Sequence, residues 1–352
     1  MSYLNIKKVA IRGVSVCVPR EIEEEIESPT FESKKAAADF IASTGIERHR
    51  IAPKGVTASD LGVAAAEKLI ADLGWDKSTI DCLLFATQTP DYILPATSCI
   101  MQDRLGLSNE CYTLDISLGC SGWVYGMSVV CSLISANGFR RGILICGDTL
   151  SRTNSRRDKT SWPLFSDATS VTAVEFDENA KEIYFNFGTD GSGWKAIYIP
   201  EGGYRNLFNE RSLDYEQIDP GVCKNKLHGI MDGMDVFSFS ISRAPKSLKK
   251  LAEYYSLDLQ NTDYLLLHQA NRIIDDKIAS KLKIDLNKVP YSLKDFGNTS
   301  GASIPMTMVN NIREGLSTRH LKLVGCGFGV GLSWGSVYFE TDKICCPNLI
   351  EY

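Results

Sequence analysis

The stretch Leu114 to Trp123 (LDISLGCSGW) constrains this chain more than any other. The residues leading into it, Cys111 to Ser117, read as a buried strand. Those that follow repeat apolar side chains at helical spacing (Trp123, Val124, Met127, Val130, Ile134) and run out near Asn137 and Gly138. Cys120 therefore falls where a strand gives way to a helix. Orphan N–H groups and the helix dipole favour a thiolate there. Gly119, Ser121 and Gly122 leave room for a substrate to approach. This is a pattern for nucleophilic attack on a thioester. A cysteine buried only for packing satisfies it too, and in a chain with 11 cysteines that is the commoner case.

Two polar elements downstream weigh against the packing reading. In LLLHQANR (Leu265 to Arg272), His268 ends an apolar strand; in FGNTSGASIP (Phe296 to Pro305), Asn298 precedes a helix. A histidine at a strand end is usually a satisfied side chain, and an Asn before a helix is usually an N-cap. Cys, His and Asn each at a strand-to-helix switch, in a chain with only 4 histidines, form a constellation rather than three coincidences.

Composition narrows the class. Hydrophobic residues make up 44% of 352, enough for a large core. A formal net charge of −5 and the lack of any long basic run exclude general nucleic-acid binding. No segment reads as a transmembrane helix, and the opening residues MSYLNIKKV carry neither the apolar core nor the cleavage site of a signal peptide. The cysteines form no CxxC pair, and several (Cys82, Cys146) sit in apparent core strands, which fits a reducing cytoplasm. Cys345 and Cys346 lack neighbouring ligands, so no metal and no other cofactor is expected.

Periodicity divides the chain into similar halves. A helix over 59–73 is opened by a Thr57/Asp60 capping box and stopped by Gly74. A strand (81–87), a loop with Pro90 and Pro95, a helix to Leu105, the strand to Ser117, the Cys120 helix and a strand over 142–147 follow. The second half repeats the order: a helix over 235–255, a strand over 263–268, a helix over 271–282, a strand-like segment to Phe296, a helix from Ser300 and a strand over 320–324. Asn298 takes the place in its half that Cys120 takes in the first. The expected fold is α/β, a duplication with two sheets packed back to back. Its parts are an N-terminal half (1–185) carrying the cysteine, an extended connecting region (186–228) suited to lining a substrate, and a C-terminal half (229–352) carrying the His and Asn.

The chain resembles the β-ketoacyl-acyl-carrier-protein synthase III family, condensing enzymes of the thiolase superfamily. The matching pieces run in order over nearly the whole chain: STGI (43–46), ATQTPDY (86–92), the Cys120 segment, MDGMDVF (231–237), HQAN (268–271), GNTS (297–300) and GFGVGLSW (327–334). The resemblance implies a five-layer αβαβα thiolase-like fold and a decarboxylative Claisen condensation in fatty-acid biosynthesis. An acyl primer from acyl-CoA or an acyl carrier protein is joined to malonyl carrier protein through an acyl-Cys120 intermediate. It implies His268 and Asn298 as neutral donors to the malonyl carbonyl, and the Cys120 and Val330 N–H groups as the oxyanion hole. Leu94, Leu150, Phe165, Met231 and Phe328 are implied around the acyl group, and a homodimer as the working state.

Departures from the family pattern mark the donor site. Phe40 stands for the Trp of the usual coenzyme A clamp, one clamp Arg is missing, and Lys159 stands where the second is expected. Lysine brings charge without a stacking plane. Arg272 comes one residue early, turned by about 100° on a helix, so carrier docking falls to it or to Arg243, Lys246, Lys249 and Lys250. Leu94 replaces an interface aromatic, which suits primers longer than acetyl. The alternatives are a specialised ketosynthase of secondary metabolism, or an acyltransferase using the same cysteine.

Overall fold

The structure is a computed structural model describing residues 2–136 and 138–352. Two mixed sheets organise it. The first has six strands in the order Ile350–Glu351, Val9–Val18, Ala168–Phe176, Arg141–Asp148, Cys82–Ala86 and Tyr112–Ile116. The second has five, in the order Ser2–Ile6, Ile183–Thr189, Ser333–Asp342, His320–Gly329 and Tyr264–Leu267.

The duplication is visible in the pairing. In the first sheet, Cys82–Ala86 runs parallel to Arg141–Asp148, which is antiparallel to Ala168–Phe176, itself antiparallel to Val9–Val18. In the second, Tyr264–Leu267, His320–Gly329, Ser333–Asp342 and Ile183–Thr189 repeat that sequence of senses. The termini cross over, because the first strand joins the second sheet and the last joins the first.

Three apolar layers hold the sheets. The helices Gly122–Ser135 and Ser303–Asn311 lie between them, where Trp123, Val124, Met127, Ile304 and Met308 share one core with Leu84, Leu144, Val337 and Phe339. The indole N–H of Trp123 donates to Thr172 Oγ1 at 3.0 Å, so a bulky side chain is buried without an orphaned donor. Ala58–Leu73 covers the outer face of the first sheet, and Gly233–Tyr255 with Arg272–Leu282 covers that of the second. This is the αβαβα arrangement.

The Thr57/Asp60 capping box is present, with Gly74 left-handed at the other end. Three local expectations are corrected. The strand before Cys120 is Tyr112–Ile116, an edge strand that is half-buried rather than buried. No strand forms before Phe296; that stretch holds turns at Leu286–Lys288 and Leu293–Phe296. After Asn298 a short 3-10 turn, Ser300–Ala302, precedes the helix, which begins at Ser303. The helix after Cys120 ends at Ser135; Asn137, near its expected end, lies outside the described residues.

Candidate active site

Cys120 is half-buried, two residues before the helix Gly122–Ser135. The strand His320–Gly329 passes hard against it. A Cβ on Gly329 would lie 2.7 Å from Cys120 Cβ and 2.8 Å from its Sγ, so only glycine fits. This approach brings the Val330 N–H to the thiol beside Cys120's own N–H, and both stabilise its charged form. The two backbone donors that the resemblance implies both lie beside the thiol.

The thiol is not a resting thiolate, contrary to the expectation from its helix position. Burial, and then the charge of Asp148, push Cys120 up to about 12, and the Val330, Cys120 and Ser300 donors offset this only in part. A helix end acts over about one turn and is worth about 1 kcal/mol. Desolvating a thiolate here outweighs it.

His268 follows the strand Tyr264–Leu267, with its N–H bound to the Cys326 carbonyl at 2.9 Å and only 2% of its surface exposed. Its Nδ1 is 2.8 Å from Ser303 Oγ, and Phe328 meets the ring edge-on with centroids 5.4 Å apart. Burial pushes its pKa down to about 4, so the imidazole is neutral at ordinary pH.

Asn298 is clamped by its backbone, donating to the Leu164 carbonyl at 2.9 Å and accepting from Ser166 N–H at 3.0 Å, beside Phe165. Its Oδ1 accepts from Ser300 N–H at 2.9 Å, which leaves the amide NH2 as its donor. One turn, Asn298 to Ser303, therefore gathers the constellation. Ser300 acts on the Cys120 thiol, its carbonyl acts on His268, and Ser303 bonds the imidazole. Asn271 of HQAN is structural, capping Arg272–Leu282 through Ile274 N–H at 2.9 Å.

The outer residues divide. Leu150 is buried, and Phe165 and Met231 are half-buried. Leu94 is 76% exposed in the single chain. Phe40 packs on Phe31 with centroids 5.3 Å apart. Lys159 is paired with Glu32 at 3.1 Å, and Arg272 with Asp276 at 3.0 Å while covering the Tyr291 ring at 4.2 Å. Arg243 is paired with Asp190, but Lys246, Lys249, Lys250 and Lys281 border a groove of about 410 Å³. The segment 186–228 folds into short pieces, and its Val222–Lys224 strand braces 155–159: Cys223 N–H bonds the Arg157 carbonyl, and Lys224 pairs with Asp158 at 2.7 Å.

Two residues of this site escaped the sequence, Asp148 and Ser300. Asp148 ends the strand Arg141–Asp148 and is 1% exposed. Its position two residues past Cys146, which pairs with Ala86 at the same sheet end as Cys120, was the available signal.

Comparison with known proteins shows the family. Residues 114–191 match the family described as 3-oxoacyl-[acyl-carrier-protein] synthase III, and residues 253–341 match its C-terminal family. A putative 3-oxoacyl-[acyl-carrier-protein] synthase 3 of Campylobacter jejuni is 31% identical, over 98% of this chain and 97% of its own. A β-ketoacyl-[acyl-carrier-protein] synthase III of Streptococcus agalactiae is 35% identical, over 85% and 89% respectively. The crystal structure of a 3-oxoacyl-(acyl-carrier protein) synthase from Burkholderia xenovorans superimposes with a TM-score of 0.92 at 32% identity, covering 100% of this chain and 99% of that one. With the family's two halves matched in order around Cys120, His268 and Asn298, this chain belongs to the 3-oxoacyl-acyl-carrier-protein synthase III family of thiolase-like condensing enzymes.

Proposed function

We propose that this protein performs a decarboxylative Claisen condensation, extending an acyl primer with malonyl carrier protein by way of an acyl-Cys120 thioester. The reading is carried by the Asn298–Ser303 turn, which ties the histidine and asparagine to the cysteine. In the first step the Cys120 sulfur attacks the primer's thioester carbonyl, and the oxygen gathers charge between the N–H groups of Cys120 and Val330. Such preorganised donors cost no reorganisation as charge develops. In the second, His268 Nε2–H and the Asn298 amide hold the malonyl thioester oxygen. As carbon dioxide leaves, that oxygen becomes an enolate, the carbanion attacks the acyl-Cys120 carbonyl, and the cysteine sulfur departs. With the Ser303 hydroxyl, 2.8 Å from Nδ1, as donor, the neutral ring carries its proton on Nε2. Neutral donors suffice because decarboxylation itself supplies the electron pair.

The donor favours a carrier protein over coenzyme A. Lys159 and Arg272, the cations expected to take part in the clamp, are each paired with a carboxylate, which phosphates would have to displace.

Intact-mass measurement after incubation with acyl-CoAs and acyl carriers of graded length tests the reading. Wild type should gain one acyl mass and Cys120→Ala none. His268→Ala and Asn298→Ala should be acylated yet fail to release carbon dioxide from malonyl carrier protein. An unchanged acyl gain in Cys120→Ala overturns the assignment.

A further inference from the structure

The condensation leaves one buried carboxylate unused. Asp148 Oδ1 accepts from Gln88 N–H at 2.6 Å, Thr87 Oγ1 at 2.9 Å and Thr89 Oγ1 at 3.2 Å, while Oδ2 has no partner. No cation pairs with it among the described residues. The Ser300 hydroxyl is also buried and without a hydrogen-bond partner, and it lies near enough to both Cys120 and Asp148 to favour the charged form of each.

Ser300 is held in an unusual conformation to reach that place. Its φ is +51°, a left-handed geometry rare for a residue with a Cβ, fixed by the Asn298 Oδ1 bond to its N–H. The turn is pressed against the cysteine loop. A Cβ on Gly301 would lie 3.0 Å from the Gly119 carbonyl oxygen, and a Cβ on Gly119 3.2 Å from Ser300 Oγ. Two unsatisfied buried polar atoms flanking a nucleophile, one on a strained residue, are costly as packing alone.

We propose that Asp148, acting through the Ser300 hydroxyl, takes up the proton that Cys120 gives away during acyl transfer. The proposal rests on Cys120 being the acyl acceptor. As Cys120 Sγ bonds to the thioester carbon, its S–H bond breaks and the proton passes to Ser300 Oγ, while the Ser300 proton passes to Asp148 Oδ2. The carboxylate becomes a carboxylic acid. When the intermediate collapses, the carbon–sulfur bond to the donor breaks, and the proton returns through Ser300 to the departing thiolate. Asp148 ends ionised, and no other reactant is consumed. The groups facing this chain are Cys120, Cys146 and His268. Burial makes the His268 imidazole a poor proton holder, with a pKa near 4, and makes the Asp148 carboxylate a better one by raising it.

The test compares two rates at Cys120 across pH: acylation by an acyl-CoA or acyl carrier, read by intact mass, and alkylation by iodoacetamide, read by peptide mass. Alkylation reports the free thiolate; acylation also needs somewhere for the proton to go. In Asp148→Asn the like charge is gone, so alkylation should rise severalfold at mildly alkaline pH. Acylation should fall by roughly a hundredfold and lose its acid limb. Ser300→Gly, which keeps the left-handed backbone, should lose acylation similarly.

A purely structural or electrostatic role would move both rates the same way. Acylation that keeps pace with alkylation in Asp148→Asn overturns the proposal. If that variant does not fold, undiminished acylation in Ser300→Gly overturns it. Wild type that alkylates at Cys120 but never acylates refutes the proposed function instead.

Discussion

Replacing His268 by a side chain that cannot titrate should flatten part of the protein's acid instability. The ring is buried and its pKa is lowered from 6.5 to about 4 by desolvation. The unfolded chain therefore binds a proton at His268 that the folded chain refuses. The sign follows: the contribution is fully present above about pH 6.5 and is lost as pH falls through the folded value near 4. At pH near 4 the loss amounts to about 3 kcal/mol, a large share of a typical folding free energy. Buried carboxyls act oppositely: Glu25, Asp148, Asp167 and Asp275 have raised values, so protonation favours their folded state as pH falls. Only a difference isolates the histidine. Urea unfolding followed by tryptophan fluorescence, on wild type and His268→Gln from about pH 7.5 to about pH 4, should show wild type losing about 3 kcal/mol more. The lost Ser303 contact adds only a constant offset. A difference that does not change with pH would mean that the ring is not held neutral, and the donor role given to it would fall.

Gly329→Ala should reduce acylation by roughly a hundredfold, because a Cβ there collides with Cys120 Sγ and small misplacements of a nucleophile are that costly; single-turnover acylation checks this, and a wild-type rate refutes it. Glu32→Gln should lower KM for acyl-CoA severalfold with kcat unchanged, by freeing Lys159; an unaltered KM removes Lys159 from the donor site. The protein should sediment as a homodimer at micromolar concentration, because the unpaired edge strand Tyr112–Ile116 and the exposed Tyr92, Ile93 and Leu94 offer a joining surface. Ile93→Asp should shift it toward monomer, and a wild-type monomer with full activity would count against it.

Cys120 stood out as a candidate nucleophile because the pattern is local: small neighbours, an apolar strand before it, helical spacing after it. The capping box at Thr57 was legible for the same reason. What stayed hidden depends on distant partners. The segment before Asn298 alternates like a strand, but Ser292 N–H is taken by Gln269 Oε1 and the Tyr291 carbonyl by Asn311 Nδ2, so its backbone is satisfied without a neighbouring strand. The strand before Cys120 carries apolar residues, yet whether a sheet continues beyond it is a matter of topology. The thiol's protonation was misjudged because the helix dipole can be seen in one segment, whereas desolvation and Asp148 come from others. Asp148 itself looks like any acidic residue ending a strand.

The exchanged termini set a timetable for folding. Ser2–Ile6 is made well before Ile183–Thr189, the strand whose edge it joins, and Val9–Val18 waits for Ile350–Glu351 to finish its sheet. Long-range closures of this kind are slow and leave strand edges open in the meantime. Each half also borrows a strand from the far end of the other's sequence. Cutting the chain between the halves would give two pieces that each lack strands of their own sheet and expose the apolar faces that Trp123 and Ile304 bury together, so the two should be recoverable only when produced together.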